Sequence, residues 1–309
     1  PTPWTNCTAI PPTVEDNMPS LAAVTTPFGA LAAICRMIKI EHSIFALPYA
    51  FAGAFLAARG LPPWRSLIFL TIAMVAVRSF AMAFNRVADL RYDRLNPRTA
   101  RRPLVTGEIS PAQTWAFCAF MAAVFVAACA GLNTLCLLLS VPALAFAAAY
   151  SLLKRFTWLC HFWLGATLGL APLAGWISVT PSFGLTPVLF FWAVTFWVAA
   201  FDIFYSCQDT DFDRRQGLHS VPADFGIPTA LVIAAFSHVV TSLFFLLAGW
   251  SAGLSVWWNA IWFGISAILL WEHRLLSPED LSHVNMAFFT LNGVIAVVVF
   301  CGVLLGIYC

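Results

Sequence analysis

Charge is what this sequence has least of. Only 10% of its 309 residues are Asp, Glu, Lys or Arg, against 61% hydrophobic. With a mean hydropathy of +0.84, that composition excludes an ordinary soluble core, and apolar runs of roughly 20 residues recur along most of the length. The runs are too long and too continuous for barrel strands, and backbone groups in lipid must be satisfied within the chain. The fold class is therefore an all-α integral membrane protein with the lipid bilayer as its solvent. A cysteine framework is missing too. The nine cysteines are scattered, mostly inside apolar runs and with no Cys-x-x-Cys pair, so they read as small buried hydrophobes and not as disulfide or metal-cluster residues. The first 20 residues, PTPWTNCTAIPPTVEDNMPS, are rich in Pro and Thr and lack the apolar stretch of a signal peptide. Residues 1–25 are expected to be disordered, with Met18 a candidate start, and residues 26–309 to form one membrane domain. No nucleic-acid partner is expected.

What is there is a series of nine expected transmembrane helices, over about 29–58, 66–88, 112–131, 133–153, 157–179, 184–206, 227–250, 255–272 and 285–308. Most connections are short, which favours antiparallel packing of neighbours in one bundle. Of the sixteen Lys and Arg, ten fall in the loops after the second, fourth, sixth and eighth spans: Arg91, Arg94, Arg98, Arg101, Arg102, Lys154, Arg155, Arg214, Arg215 and Arg274. The positive-inside rule then places the N-terminus and these loops on the cytoplasmic side of the inner membrane.

The scarce charge is concentrated. NRVADLRYDRLNPRTARRPL, Asn85 to Leu104, and DIFYSCQDTDFDRRQG, Asp202 to Gly217, together hold six of the fourteen acidic residues. Asn85, Asp89 and Asp93 are spaced i, i+4, i+8, one helix face if the second helix continues through them. Asp202, Asp209 and Asp213 fall close to one face of the sixth, with Asp211 pointing elsewhere. Both helices enter the membrane in the same direction, so the two acidic ridges can face each other across one cytoplasm-facing cavity. Converging carboxylates repel one another in a medium of reduced dielectric, so a cation is expected between them. Hard oxygen ligands suit Mg²⁺, which bridges carboxylates to substrate phosphates. Arg78, seven residues before Asn85 and deeper in the bilayer, needs a partner, because a charge at the helix centre costs about 2.5–3.5 kcal/mol. Tyr150 and Lys154, in YSLLKR, share a face at the end of the fourth span. Taken together, the charges read as a diphosphate site, with Mg²⁺ on the carboxylates and Arg and Lys over the remaining phosphate oxygens.

NRVADLRYD, NPRTARRPL, YSLLKR, DTDFD and GLHSVPADFG, in this order, resemble the UbiA superfamily of intramembrane prenyltransferases. Asn85, Asp89 and Asp93 match its NxxxDxxxD motif, Asp209 and Asp213 its second DxxxD with Asp202 upstream, and Tyr150 and Lys154 its YxxxK element. Arg86 departs from it, standing where many relatives carry an Asp. The resemblance implies transfer of a polyprenyl group from polyprenyl diphosphate to a hydroxylated aromatic acid. It implies Mg²⁺ on Asp89, Asp93, Asp209 and Asp213 with Asn85 as a neutral ligand, and Arg78, Lys154, Arg155 and Arg102 neutralising the leaving diphosphate. Phe191, Trp192, Phe196 and Trp197 are candidates for stabilising an allylic cation. Lys39, Glu41 and His42 either bind the acceptor's carboxylate or hydroxyl or sit at the membrane surface. His219 and Ser220 are expected to close over the cavity as part of a lid. RMIKIEHSIFALPYAFAGA and QDTDFDRRQGLHSVP look closest to the branch that serves the futalosine route to menaquinone. That favours a dihydroxynaphthoate over 4-hydroxybenzoate as acceptor; haem, chlorophyll and lipid branches are the alternatives within the family. A transporter, the competing class, would instead show broken helices meeting near the bilayer midplane.

Overall fold

The computed structural model describes residues 27–38, 46–275 and 291–309. Among the described residues there is no strand. The long helices are α1 (Pro27–Ile38), α2 (Leu47–Ala58), α3 (Trp64–Ala88), α6 (Pro111–Leu132), α7 (Thr134–Leu153), α8 (Cys160–Val179), α9 (Leu185–Ser206), α12 (Ile227–Ala252), α13 (Val256–Glu272) and α14 (Asn292–Tyr308). Between them lie four short helices: α4 (Leu90–Asp93), α5 (Pro103–Thr106), α10 (Thr210–Gln216) and α11 (Val221–Phe225). Among the described residues six helices are long and apolar enough to cross a membrane: α3, α6, α7, α8, α9 continued through α10, and α12; α2 and α14 are shorter apolar helices. The single span expected over 29–58 is instead two helices, α1 and α2. Pro48 stands in the first turn of α2, a position that tolerates its missing N–H, whereas a helix interior does not. The expectations for residues 1–25, Met18, Lys39, Glu41 and His42 lie outside the described residues.

Local chemistry marks the helix ends. Ser110 and Gln113 form a reciprocal capping box with Pro111 at the start of α6, which satisfies two backbone donors that helix geometry leaves unpaired. Asn133 accepts from the Cys136 N–H at 2.9 Å to start α7 and donates to Ile177 O at 2.8 Å, tying α7 to α8. The interior follows from small residues. A Cβ on Gly175 would lie 1.8 Å from Ala50 O, and one on Gly165 would lie 2.1 Å from Thr195 O. The backbone of α8 therefore touches α2 on one side and α9 on the other, an approach open only to glycine and the usual device for packing helices in lipid. The central helix is α9, packed between α8 and α12. Its Phe190, Trp197 and Phe201 join Tyr49, Phe245 and Trp258 in the main core.

Candidate active site

The first acidic ridge survives a break in its helix. α3 ends at Ala88, and Asp89 caps it at φ −95°, ψ 6° before α4 begins. The backbone bonds Asp89 N–H to Asn85 O, 2.9 Å, and Asp93 N–H to Asp89 O, 2.8 Å, nevertheless keep the four-residue register. Asn85, Asp89 and Asp93 all line one cavity as a result. On the opposite wall a 3-10 turn, Cys207–Asp209, joins α9 to α10, and Asp202, Asp209 and Asp213 face the same cavity. Asp211 is exposed and does not line it.

The cavity holds about 350 Å³ and is lined by five carboxylates, Asp89, Asp93, Asp202, Asp209 and Asp213, and by six permanent cations, Arg78, Arg86, Arg98, Arg102, Lys154 and Arg155. Each carboxylate has a nitrogen partner. Arg155 pairs with Asp89 at 3.4 Å, Arg102 with Asp93 at 2.6 Å, and Lys154 with Asp213 at 2.8 Å. Arg98 forks onto Asp209 through Nε at 3.0 Å and through Nη2, and Asn96 donates to the same carboxylate at 3.1 Å. His161 Nδ1 lies 2.7 Å from Asp202 Oδ2. The loop between α4 and α5 thus ties the ends of α3 and α9 together. Thr99 donates to Asp93 O, and Arg98 donates to the Tyr205 hydroxyl.

Electrostatics follow from these contacts. Burial, and then the neighbouring Asp93, raise the Asp89 carboxyl above its ordinary value against the pull of Arg155. Burial opposes the Lys154 charge, but Asp213 beside it prevails and holds the ammonium above its usual range. Lys154 is a fixed cation at neutral pH.

Arg78 and Tyr150 sit where the cavity meets a second, largely apolar slot of about 140 Å³, also bordered by Met82, Leu164 and Leu168. Arg86, the family departure, is buried on the cavity wall and donates to Asn85 Oδ1 at 3.2 Å. Other expectations change. Trp197 is wholly buried against Tyr49 and Phe201, and Phe191, Trp192 and Phe196 stack among themselves and with Phe244. None of the four lines the cavity; Tyr92, Phe201, Tyr205 and Phe212 do. Phe201 and Tyr205, one residue before and three after Asp202, flank its helix face and were legible from that spacing, whereas the apolar remainder of α9 hides which of its other aromatics face inward. His219 and Ser220 brace the site from behind it. The Ser220 hydroxyl donates to Asp213 Oδ2 at 3.0 Å, and the His219 N–H donates to Lys154 O at 2.7 Å. Asn96, Arg98 and His161 escaped sequence reasoning as site residues, because their partners lie 113, 111 and 41 positions away.

Comparison with known proteins shows the family. A model of the UbiA prenyltransferase family matches residues 46–294. The 4-hydroxybenzoate octaprenyltransferase of Klebsiella pneumoniae subsp. pneumoniae is 30% identical over 278 residues, covering 88% of this chain and 95% of the relative. Among solved structures, the apo UbiA homolog from Aeropyrum pernix K1 superposes with a TM-score of 0.78 at 35% identity, covering 86% of this chain and 98% of that one. A UbiA homolog from Archaeoglobus fulgidus bound to DMAPP and Mg²⁺ shares the fold, with a TM-score of 0.71 at 22% identity over 89% of this chain and 98% of that one. The chain belongs to the UbiA prenyltransferase family. It is a multi-pass membrane enzyme that transfers prenyl groups.

Proposed function

We propose that this protein transfers a polyprenyl group from polyprenyl diphosphate to a hydroxylated aromatic acid in quinone biosynthesis, with Mg²⁺, at the cytoplasmic face of the inner membrane in a bundle of nine transmembrane helices. The observation that carries the reading is the convergence of five carboxylates and six permanent cations on one cavity that borders an apolar slot. A diphosphate with a long hydrocarbon tail needs both environments side by side. The residues present fit Mg²⁺. Asp89, Asp93, Asp209 and Asp213 with Asn85 offer only hard oxygen donors. Among the described residues no three acids, histidines or cysteines form a ready-made cluster; Mg²⁺ takes waters and substrate phosphates as its remaining ligands. When bound there, Mg²⁺ supplies Lewis-acid charge to the diphosphate oxygens.

The chain's own residues do the rest. Lys154, Arg102 and Arg155, with Arg78 deeper in the wall, face the diphosphate and stabilise the charge that grows on it as the allylic C–O bond breaks. Preformed cations favour that state over the ground state. Tyr150, whose hydroxyl lies 3.5 Å from Ala81 O, holds the boundary between the polar cavity and the slot. The slot shelters the isoprenoid at about 0.8 kcal/mol per buried CH₂. Lys39, Glu41 and His42 stay candidates for the acceptor's polar groups, and Asp202 faces the ring. The named activity of the Klebsiella pneumoniae relative supports 4-hydroxybenzoate as acceptor, and the motif resemblance supports a dihydroxynaphthoate. Purified protein given Mg²⁺, one polyprenyl diphosphate and both acids in competition tests the reading. A prenylated acid identifies the acceptor, and prenylation of neither refutes it.

A further inference from the structure

We propose that Asp202 is the base that removes the ring proton after the new carbon–carbon bond has formed, and that His161 positions it. The inference rests on the reading of the cavity as an aromatic prenyltransferase site. Four of the five cavity carboxylates are paired with a permanent cation: Asp89 with Arg155, Asp93 with Arg102, Asp209 with Arg98 and Asp213 with Lys154. A carboxylate so paired is a poor proton acceptor, because the adjoining cation favours its charged form. Asp202 alone among the five has a histidine partner, with Nδ1 at 2.7 Å from Oδ2. The histidine's state follows from its other nitrogen, since His161 Nε2 accepts the Val221 N–H at 3.1 Å. A ring nitrogen that accepts a hydrogen bond carries no proton, so in the neutral ring Nδ1 holds it and donates to Asp202. The imidazole thereby aims the Asp202 carboxylate through Nδ1 while the Val221 N–H fixes the ring through Nε2.

Position agrees with chemistry. Asp202 lies seven residues before Asp209 on α9, about 10 Å further from the charged end at 1.5 Å per residue. Its side chain keeps 25% of its surface exposed, and it lines the cavity with Phe201, Tyr205 and Leu164. With the diphosphate held at the charged end, that side of the cavity is the place left for the aromatic ring that the allylic carbon attacks. The step balances. The C–O pair leaves with the diphosphate, a ring π pair makes the C–C bond, and the C–H pair returns to the ring as its proton passes to the Asp202 carboxylate. Water in the cavity then takes the proton and resets the base. Val221 follows Ser220, so two consecutive residues at the start of α11 brace both His161 and Asp213.

The test is Asp202→Asn, assayed with ring-deuterated acceptor. Turnover is expected to fall about a hundredfold, with a primary deuterium isotope effect absent from the wild type and unchanged affinity for a non-reactive thio-diphosphate analogue. His161→Phe is expected to lower kcat by about tenfold with KM unchanged, and His161→Asn, whose amide N–H replaces Nδ1–H, to recover most of it. Asp202→Asn turnover within about twofold of wild type and without an isotope effect overturns the inference while leaving prenyl transfer intact. Equal loss in both His161 variants overturns the positioning role. Failure of the wild-type protein to prenylate any aromatic acid overturns the parent reading together with this one.

Discussion

Lys154→Met separates what the cavity's charges do for stability from what they do for turnover. The ammonium lies 2.8 Å from Asp213, whose side chain is 1% exposed. At that distance the attraction is about 6 kcal/mol for an effective dielectric near 20. Desolvation of the two ions offsets most of it, so the intact pair adds little net stability, whereas removing one member strands the other at about 3–5 kcal/mol. Two features favour the lower end. Ser220 still donates to Asp213 at 3.0 Å, and Lys154, 33% exposed, is partly screened by solvent. The expected loss is about 3 kcal/mol, or about 5 °C in apparent melting temperature for a chain of this size. Tryptophan fluorescence of the purified, metal-free protein in detergent reads it directly. Lys154→Met combined with Asp213→Asn leaves no stranded charge and is expected to regain most of that loss. Turnover stays down about a hundredfold or more in both single variants and in the pair. A double variant no more stable than Lys154→Met would refute the buried pair. Turnover within about threefold of wild type in Lys154→Met would remove the ammonium from the diphosphate's reach.

Asp89→Asn, Asp93→Asn and Asp209→Asn are each expected to lower turnover by about a hundredfold or more with the fold retained, while the exposed Asp211→Asn stays near wild type; two silent variants among the first three would undo the metal assignment. Diphosphate release should stop on adding EDTA and return with Mg²⁺, and activity that survives chelation contradicts the proposed cofactor. Arg78→Ala should weaken binding of a thio-diphosphate analogue, and unchanged affinity would return Arg78 to a structural role. Gly175→Val must push α8 from α2, because its Cβ would lie 1.8 Å from Ala50 O; a loss of about 1–3 kcal/mol is expected, and an unchanged melting temperature would contradict the close approach.

Composition and spacing alone determined that this chain is a helical membrane protein and that Asn85, Asp89, Asp93, Asp209 and Asp213 belong to one surface. Lipid permits few backbone solutions, and a four-residue interval on a helix is a statement about direction. The family motifs are legible for the same reason, since each lies within a single segment. Only the tertiary structure decided which cation meets which acid. Arg98 reaches Asp209 across 111 positions and His161 reaches Asp202 across 41, and no periodicity within one segment encodes such a distance. It also decided the aromatics. Apart from Asp202 and a few hydroxyl residues α9 is apolar, so hydrophobicity could not tell the buried Trp197 from the cavity-lining Phe201; the packing of α9 between α8 and α12, with Trp197 against Tyr49 of α2, made that choice.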